Sequence, residues 1–296
     1  MKTTFDPGDF RYTGKGSCKP ASLPTSLKKR LYKDDASLQR QVAEFREEIG
    51  DLQQQMYAHD RYSLLLIFQA MDAAGKDGTI KHVMSGVDPH GVEVHSFKRP
   101  SEEELDHDYL WRSARLAPPR GRIGIFNRSY YEEVLVCRVH PEIVTEGQRL
   151  PEEATESMGK LWERRFAEIR NFEAMLHANG TRVVKFFLNV SKDTQKKRFL
   201  ERIDTPAKNW KFNAGDLKER ALWKEYMRAY GEAIGETATK DSPWYIVPAD
   251  DKGDMRLIVS AAILHELSRL KLKWPVLPPE QKAALAEARK ALLAEK

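Results

Sequence analysis

The chain has 296 residues, 41% of them apolar and 31% charged, with a formal net charge of +5 and a pI near 9.0. That length carries a substantial core in one or two domains, and no apolar run approaches the roughly 20 residues that a bilayer span requires. The opening Met1–Pro7 lacks a hydrophobic signal core, which places the protein in the cytoplasm, and the two thiols, Cys18 and Cys137, form neither a CxxC pair nor a Cys/His cluster, which argues against a disulfide framework and a structural zinc.

Residues 1–33 carry Gly14, Gly16, Pro20 and Pro24 among lysines and read as an extended arm. Leu38, Val42, Phe45, Ile49, Leu52 and Met56 then recur at spacings of four and three, one face of a long helix. The stripe is too short for a coiled-coil seam and suits packing against a sheet. Leu64–Phe68 is a continuous apolar run, as in a strand buried on both faces of a parallel sheet. Ile80, Val83, Met84 and Val87 place a helix after it, and Val92–Phe97 is a second strand. Ser101 with Glu104 forms a capping box for a helix through Leu105, Tyr109 and Leu110. Ile123–Phe126 is a third strand, and a helix from Met158 to Leu176 ends at Gly180. Val183–Val190 and Trp244–Val247 complete five strands, Ile258–Leu272 is a closing helix, and Pro279–Lys296 is a helix projecting from the body. Strands alternating with helices give an α/β fold with a mainly parallel sheet.

Between the first strand and its helix lies Ala70-Met71-Asp72-Ala73-Ala74-Gly75-Lys76-Asp77-Gly78-Thr79. A strand, a glycine-bearing turn and a lysine opening a helix make a phosphate cradle: amides at a helix N-terminus point at an anion and the dipole favours its charge. The usual loop has Gly where Ala70 stands and Ser or Thr where Asp77 stands, so the hydroxyl that normally meets a metal is absent. In such sheets ligands bind beyond the carboxyl ends of the strands. The third strand leads there into Asn127-Arg128-Ser129-Tyr130-Tyr131-Glu132-Glu133. Arg128 offers a planar fork for phosphate oxygens, whereas Asn127 is a poorer ligand for a hard cation than the usual Asp. The fourth strand is followed by Lys196, Lys197, Arg198, Arg202, Pro206, Lys208, Trp210 and Lys211, a helix and break that read as a basic lid.

Together, the Met71–Thr79 loop, Phe126–Glu132 and the segment from Arg198 to Phe212 resemble the polyphosphate kinase 2 family, with similarity from about Gln53 to Leu272. The resemblance implies a three-layer phosphate-loop kinase related to thymidylate kinase, with a body over 34–275, a helical lid over 196–215 and a C-terminal helix over 276–296. It also implies reversible, Mg²⁺-dependent phosphoryl transfer between inorganic polyphosphate and adenine nucleotides, with guanine nucleotides as further candidates, in a homo-oligomer (tetramer or dimer). Asn127 and Glu132 resemble the subgroup that accepts both AMP and ADP. On this reading Asp72, Lys76 and Arg128 are catalytic, and Asp72 with Glu132 holds the metal. Ala73, Ala74, Gly75, Asp77, Gly78, Lys81, Asn127, Arg198, Arg202, Lys208 and Lys211 join Lys76 and Arg128 in holding nucleotide and polyphosphate. A nucleoside monophosphate kinase using ATP would share this core, and a basic protein can instead bind nucleic acid. Aromatic platforms among the basic residues are sparse, however, which argues against nucleic acid as a partner.

Overall fold

The computed structural model describes residues 5–14 and 18–295. Residues 1–4 and 15–17 of the expected arm, and Lys296 of the last helix, lie outside the described residues. Six strands form one sheet: β1 (Arg11–Tyr12), β2 (Ser63–Gln69), β3 (Val92–Ser96), β4 (Ile123–Asn127), β5 (Thr181–Asn189) and β6 (Trp244–Pro248). Their spatial order is β1-β6-β5-β2-β4-β3, parallel throughout except for β1, which pairs antiparallel with β6. The sheet therefore has one strand more than the five expected from the sequence. Two residues are too short to give a periodic signal, and β1 is held by its partner strand and by Arg11, whose Nε donates to Glu266.

The helices that matter for the site are α1 (Asp35–His59), α2 (Lys76–Met84), α3 (Met158–Ala178), α4 (Lys192–Ile203), α5 (Gly215–Ala221), α6 (Trp223–Thr237), α7 (Lys252–Ser268) and α8 (Pro279–Ala294). Adjacent strand residues point to opposite faces, and β6 shows what covers each. Trp244 donates its indole N–H to Thr237 of α6, while the next residue, Tyr245, donates its hydroxyl to Glu266 of α7. Helices α1, α2 and α7 pack together on the second of these faces, and α3 with α6 on the first. Every residue of β2 is buried, so both faces of this strand contribute burial energy, about 1.5–3 kcal/mol for each large aliphatic or aromatic side chain.

Asp34 and Ser37 form a capping box that starts α1, and Leu38, Val42 and Phe45 pack against Leu257 and Ala261 of α7. The first half of the stripe thus meets a helix, and Ile49 and Met56 farther along reach the main core. The Ser101–Glu104 capping box forms, but its helix stops at Leu105. Asp108 Oδ1 accepts the amides of Leu110 and Trp111 and starts a separate turn over Trp111–Ala114, so the expected helix through Tyr109 is broken by local side-chain hydrogen bonding. The closing helix begins at Lys252, six residues before Ile258, because Asp251 caps it by accepting from the amides of Gly253 and Asp254. All of α8 is exposed.

The described part of the arm lies on the body. Pro7 and Pro20 are buried. Asn189 Nδ2 donates to the carbonyls of Leu23 and Pro24. Thr25 Oγ1 donates to Asp250 Oδ2 at 2.8 Å, and the Asp250 amide returns a bond to the Thr25 carbonyl at 2.9 Å. Among the described residues, no helix is long and apolar enough to cross a membrane.

Candidate active site

The C-terminal ends of β2, β3 and β4, with the segments that follow β5 and β6, open into a cavity of about 850 Å³. Its floor is the loop from β2 to α2. Gly75 has φ +107 and N-caps α2, a conformation that an L-residue adopts only with strain. Ala73 takes φ +60 and Arg128, at the end of β4, takes φ +63, so three left-handed residues shape the site. Such strain persists only where surroundings over-determine it. Here they do: Arg198 donates through Nη1 to the carbonyls of Ala73 and Ala74 and through Nη2 to those of Ala249 and Asp250. With the carbonyl edge of the loop occupied, the opening amides of α2, which have no intrahelical acceptor, face the cavity.

Lys76 lies on this wall and its Nζ donates to the Ala70 carbonyl at 2.9 Å. Burial pulls its ammonium below the ordinary lysine range, partly offset by Asp72. Asp72 Oδ1 accepts from Arg128 Nη2 at 3.0 Å. Burial opposes the charge on Arg128, but Glu132 and Asp72 outweigh it and hold the guanidinium above its usual value. Asn127 donates to Asp77 Oδ1 at 2.7 Å, so the two unusual residues of the loops satisfy one another.

Of the residues singled out from the sequence, Asp72, Ala73, Ala74, Gly75, Lys76, Asp77, Gly78, Lys81, Asn127, Arg128, Arg198, Arg202, Lys208 and Lys211 all border this one cavity. Glu132 does not line it. It sits behind the loop, where Gln69 Nε2 donates to its Oε1 at 2.9 Å with the amide turned to satisfy both neighbours, and burial raises its carboxyl against the pull of Arg128 and Lys76. Arg198 is 7% exposed and engaged by four carbonyls, so it braces the loop, unlike the solvent-facing lid cation expected from its place in a basic run. Phe212 meets Phe199 edge to face and is half-buried, while Trp210 is 78% exposed on the cavity rim.

Sequence reasoning missed Lys98, Asp216 and Lys252, which also line the cavity. Lys98 and Lys252 follow β3 and β6, so the strand-end rule could have found them. Asp216, on α5, lies within 3.9 Å of Arg202, and burial followed by the charge of Asp72 raises its carboxyl. Nine basic side chains line the cavity against four acidic ones. No group of three or more His, Cys, Asp or Glu among the described residues is arranged to hold a metal alone. Asp72 and Asp77 do present hard carboxylate oxygens to the cavity, which suits an ion whose remaining ligands are water and phosphate oxygens.

A parallel sheet whose first buried strand runs through a glycine turn into a lysine-headed helix, with basic side chains arching over it, is a phosphate-loop kinase fold. Within that class the chain belongs to the polyphosphate kinase 2 family, whose model matches residues 32–274. It is 56% identical over 248 residues to the ADP-polyphosphate phosphotransferase of Rhodopseudomonas palustris, covering 83% of this chain and 85% of that one. It is 43% identical to the AMP/ADP-polyphosphate phosphotransferase of Meiothermus ruber, over 79% and 82% of the two chains. The crystal structure of polyphosphate kinase 2 from Arthrobacter aurescens superposes with a TM-score of 0.84 at 37% identity, covering 97% of this chain and 99% of that one.

Proposed function

We propose that the protein transfers a terminal phosphoryl group from inorganic polyphosphate to ADP, and to AMP, forming ATP at the end of the sequence, and that the transfer is reversible. The observation that carries this reading is the cavity wall, with nine basic side chains to four acidic ones around a phosphate cradle. Polyphosphate carries about one charge per phosphate and no bases, so its recognition is electrostatic, like backbone-dominated nucleic-acid binding. Lys81, Lys208 and Lys211 add positive charge to the same wall as the loop lysine, which favours a polyanionic donor over ATP.

Phosphoryl transfer needs alignment and charge neutralisation more than covalent help. Lys76 and the amides of the Ala73–Gly78 loop hold the transferring group, and Arg128 meets the charge that builds on its oxygens. Asp72 fixes Arg128 through their ion pair and turns it toward the cavity. The accepting nucleotide phosphate is itself an oxyanion near neutral pH, so no strong general base is required. Arg202, Lys208 and Lys211 neutralise the donor chain, while Asn127 keeps Asp77 in place. Mg²⁺ is the divalent ion whose coordination habits match this donor set. Asp72 with Asp77 would hold it, and it would supply neutralisation of phosphate charge. Glu132, the second carboxylate expected from the sequence, acts from behind the loop through its charge on Arg128 and Lys76.

On this reading residues 34–275 are the catalytic body, with the arm before it and the C-terminal helix after it, in a cytoplasmic homo-oligomer that binds no nucleic acid. The test is to mix the purified protein with Mg²⁺, polyphosphate and either AMP or ADP and follow ATP by luciferase. ATP from both acceptors is the expected result. Turnover only when ATP replaces polyphosphate as donor, or salt-sensitive nucleic-acid binding without turnover, overturns the proposal.

A further inference from the structure

Helix α4 grips the carbonyl edge of the phosphate loop with two side chains one turn apart, and the two lead to different places. Arg198 ties Ala73 and Ala74 to Ala249 and Asp250 at the end of β6, a fixed part of the sheet. Gln195, only 1% exposed, leads elsewhere. Its Nε2 donates to the Asp72 carbonyl at 2.9 Å, and its Oε1 accepts from Arg220 Nη1 at 2.8 Å. Arg220 belongs to α5, the helix that follows the basic turn over Pro206–Lys211, and the same nitrogen donates to the Lys192 carbonyl at 2.7 Å. The Asp72 side chain continues the path, because its Oδ1 accepts from Arg128 at 3.0 Å.

We propose that Gln195 is a positioning residue that couples α5, the helix into which the lid leads, to the catalytic loop through the chain Arg220–Gln195–Asp72–Arg128, a role that rests on the phosphotransferase reading above. The amide is the right group for the task. It offers a donor and an acceptor on one small uncharged plane, so it binds a carbonyl on one side and a guanidinium on the other without adding a charge beneath the anion site. A carboxylate could accept from Arg220 but would face the Asp72 carbonyl with a second acceptor. An aliphatic side chain would make neither bond. A shift of α5 that moves Arg220 therefore bears on Gln195, and through the Asp72 peptide on the carboxylate that orients Arg128. This places the control of Arg128 in the helix into which the lid leads, so that the arginine is set when α5 is seated. Arg198, anchored at its other end to the carbonyls after β6, holds the loop still and does not follow α5.

The test compares wild type with Gln195→Leu, Gln195→Glu and Arg220→Met, singly and with Gln195→Leu combined with Arg220→Met. Steady-state kinetics with ADP and polyphosphate are expected to show kcat lowered about tenfold in both Gln195 variants, within the loss that a misplacement of about 1 Å produces, with KM for polyphosphate little changed. The double variant should be no slower than the slower single one. Hydrogen–deuterium exchange reads the same link without turnover. Amides of 72–78 should exchange faster in both Gln195 variants, and those of 215–221 faster in Gln195→Leu only, since Glu still holds Arg220. Unchanged exchange at 72–78, or a kcat loss that merely tracks the folded fraction, overturns the coupling. A wild type that makes no ATP would refute the phosphotransferase reading instead, and the exchange data would still decide whether Gln195 joins the two segments.

Discussion

The most demanding prediction concerns an ion pair in the middle of the sheet. Lys185, on β5, has no exposed surface, and its Nζ lies 2.5 Å from Glu173 Oε2, 2.9 Å from the Thr237 carbonyl and 3.1 Å from Ser242 Oγ. Glu173 also accepts the hydroxyls of Tyr130 and Tyr131 at 2.9 and 2.8 Å and that of Ser242 at 2.7 Å. Burial pulls the Lys185 ammonium below its ordinary range, and Glu173 opposes this. Glu173→Ala leaves a buried ammonium facing two neutral oxygens, and breaking a buried pair in this way costs about 3–5 kcal/mol. Lys185→Met leaves the carboxylate with three hydroxyl donors, which brings its cost toward ~3 kcal/mol, the lower end of that range. Lys185→Met with Glu173→Ala removes both charges and strands mainly the tyrosine hydroxyls, at about 1–3 kcal/mol. The double variant should therefore be more stable than Glu173→Ala, with a coupling of at least ~2 kcal/mol in a cycle of urea midpoints at constant m. If the single costs add to within about 0.5 kcal/mol, the charges do not act as a pair and the reasoning fails.

Three further outcomes follow from the site. Lys76→Ala and Arg128→Ala should each lower phosphoryl transfer by roughly 10³-fold with an unchanged circular dichroism melt, and near-normal turnover in both would remove them from the reaction. Gly75→Ala places a Cβ 3.2 Å from Met255 Cε at φ +107, so it should lower stability by about 1–2 kcal/mol and weaken polyphosphate binding, read by titration calorimetry. His140 touches Glu219 of α5 at 2.9 Å and Glu142 at 3.2 Å. Burial works against its charge, but the bonds to these carboxylates win and raise its pKa. The stabilisation is then complete below the unperturbed value of about 6.5 and fades as pH rises through the raised folded value. The melting-temperature gap between wild type and His140→Asn should close on that rise; a gap independent of pH would show that the imidazolium does not hold α5.

The phosphate loop was legible because its signal is local: an apolar run, a glycine and a lysine within a dozen residues, continued by a helical stripe. Strand β4 and the Asn127–Arg128 loop followed from the same logic of strand ends. What stayed hidden depends on contacts distant in sequence. Arg198 sits in a run of exposed cations, and nothing local marks it as the one turned inward to bind carbonyls about 50 and 125 positions away. Glu132 reads as a neighbour of Arg128 and therefore as a cavity residue, but the 3-10 turn over Tyr130–Val134 carries it behind the loop. Strand β1 has too few residues to announce itself, and Asp108 breaks a helix by a hydrogen bond that periodicity does not register.

The segment before Asp34 falls almost wholly outside the matched family region of 32–274, which invites its removal when a minimal catalyst is wanted. Its hold on Asp250 makes that choice costly. The peptide oxygen of Asp250 is one of the four that orient Arg198, so Thr25 stands three hydrogen bonds from the cradle, through Asp250 and Arg198. Trimming the leader would free the turn beyond β6 and let the guanidinium drift. The damage would surface as poor anion capture in an otherwise folded enzyme.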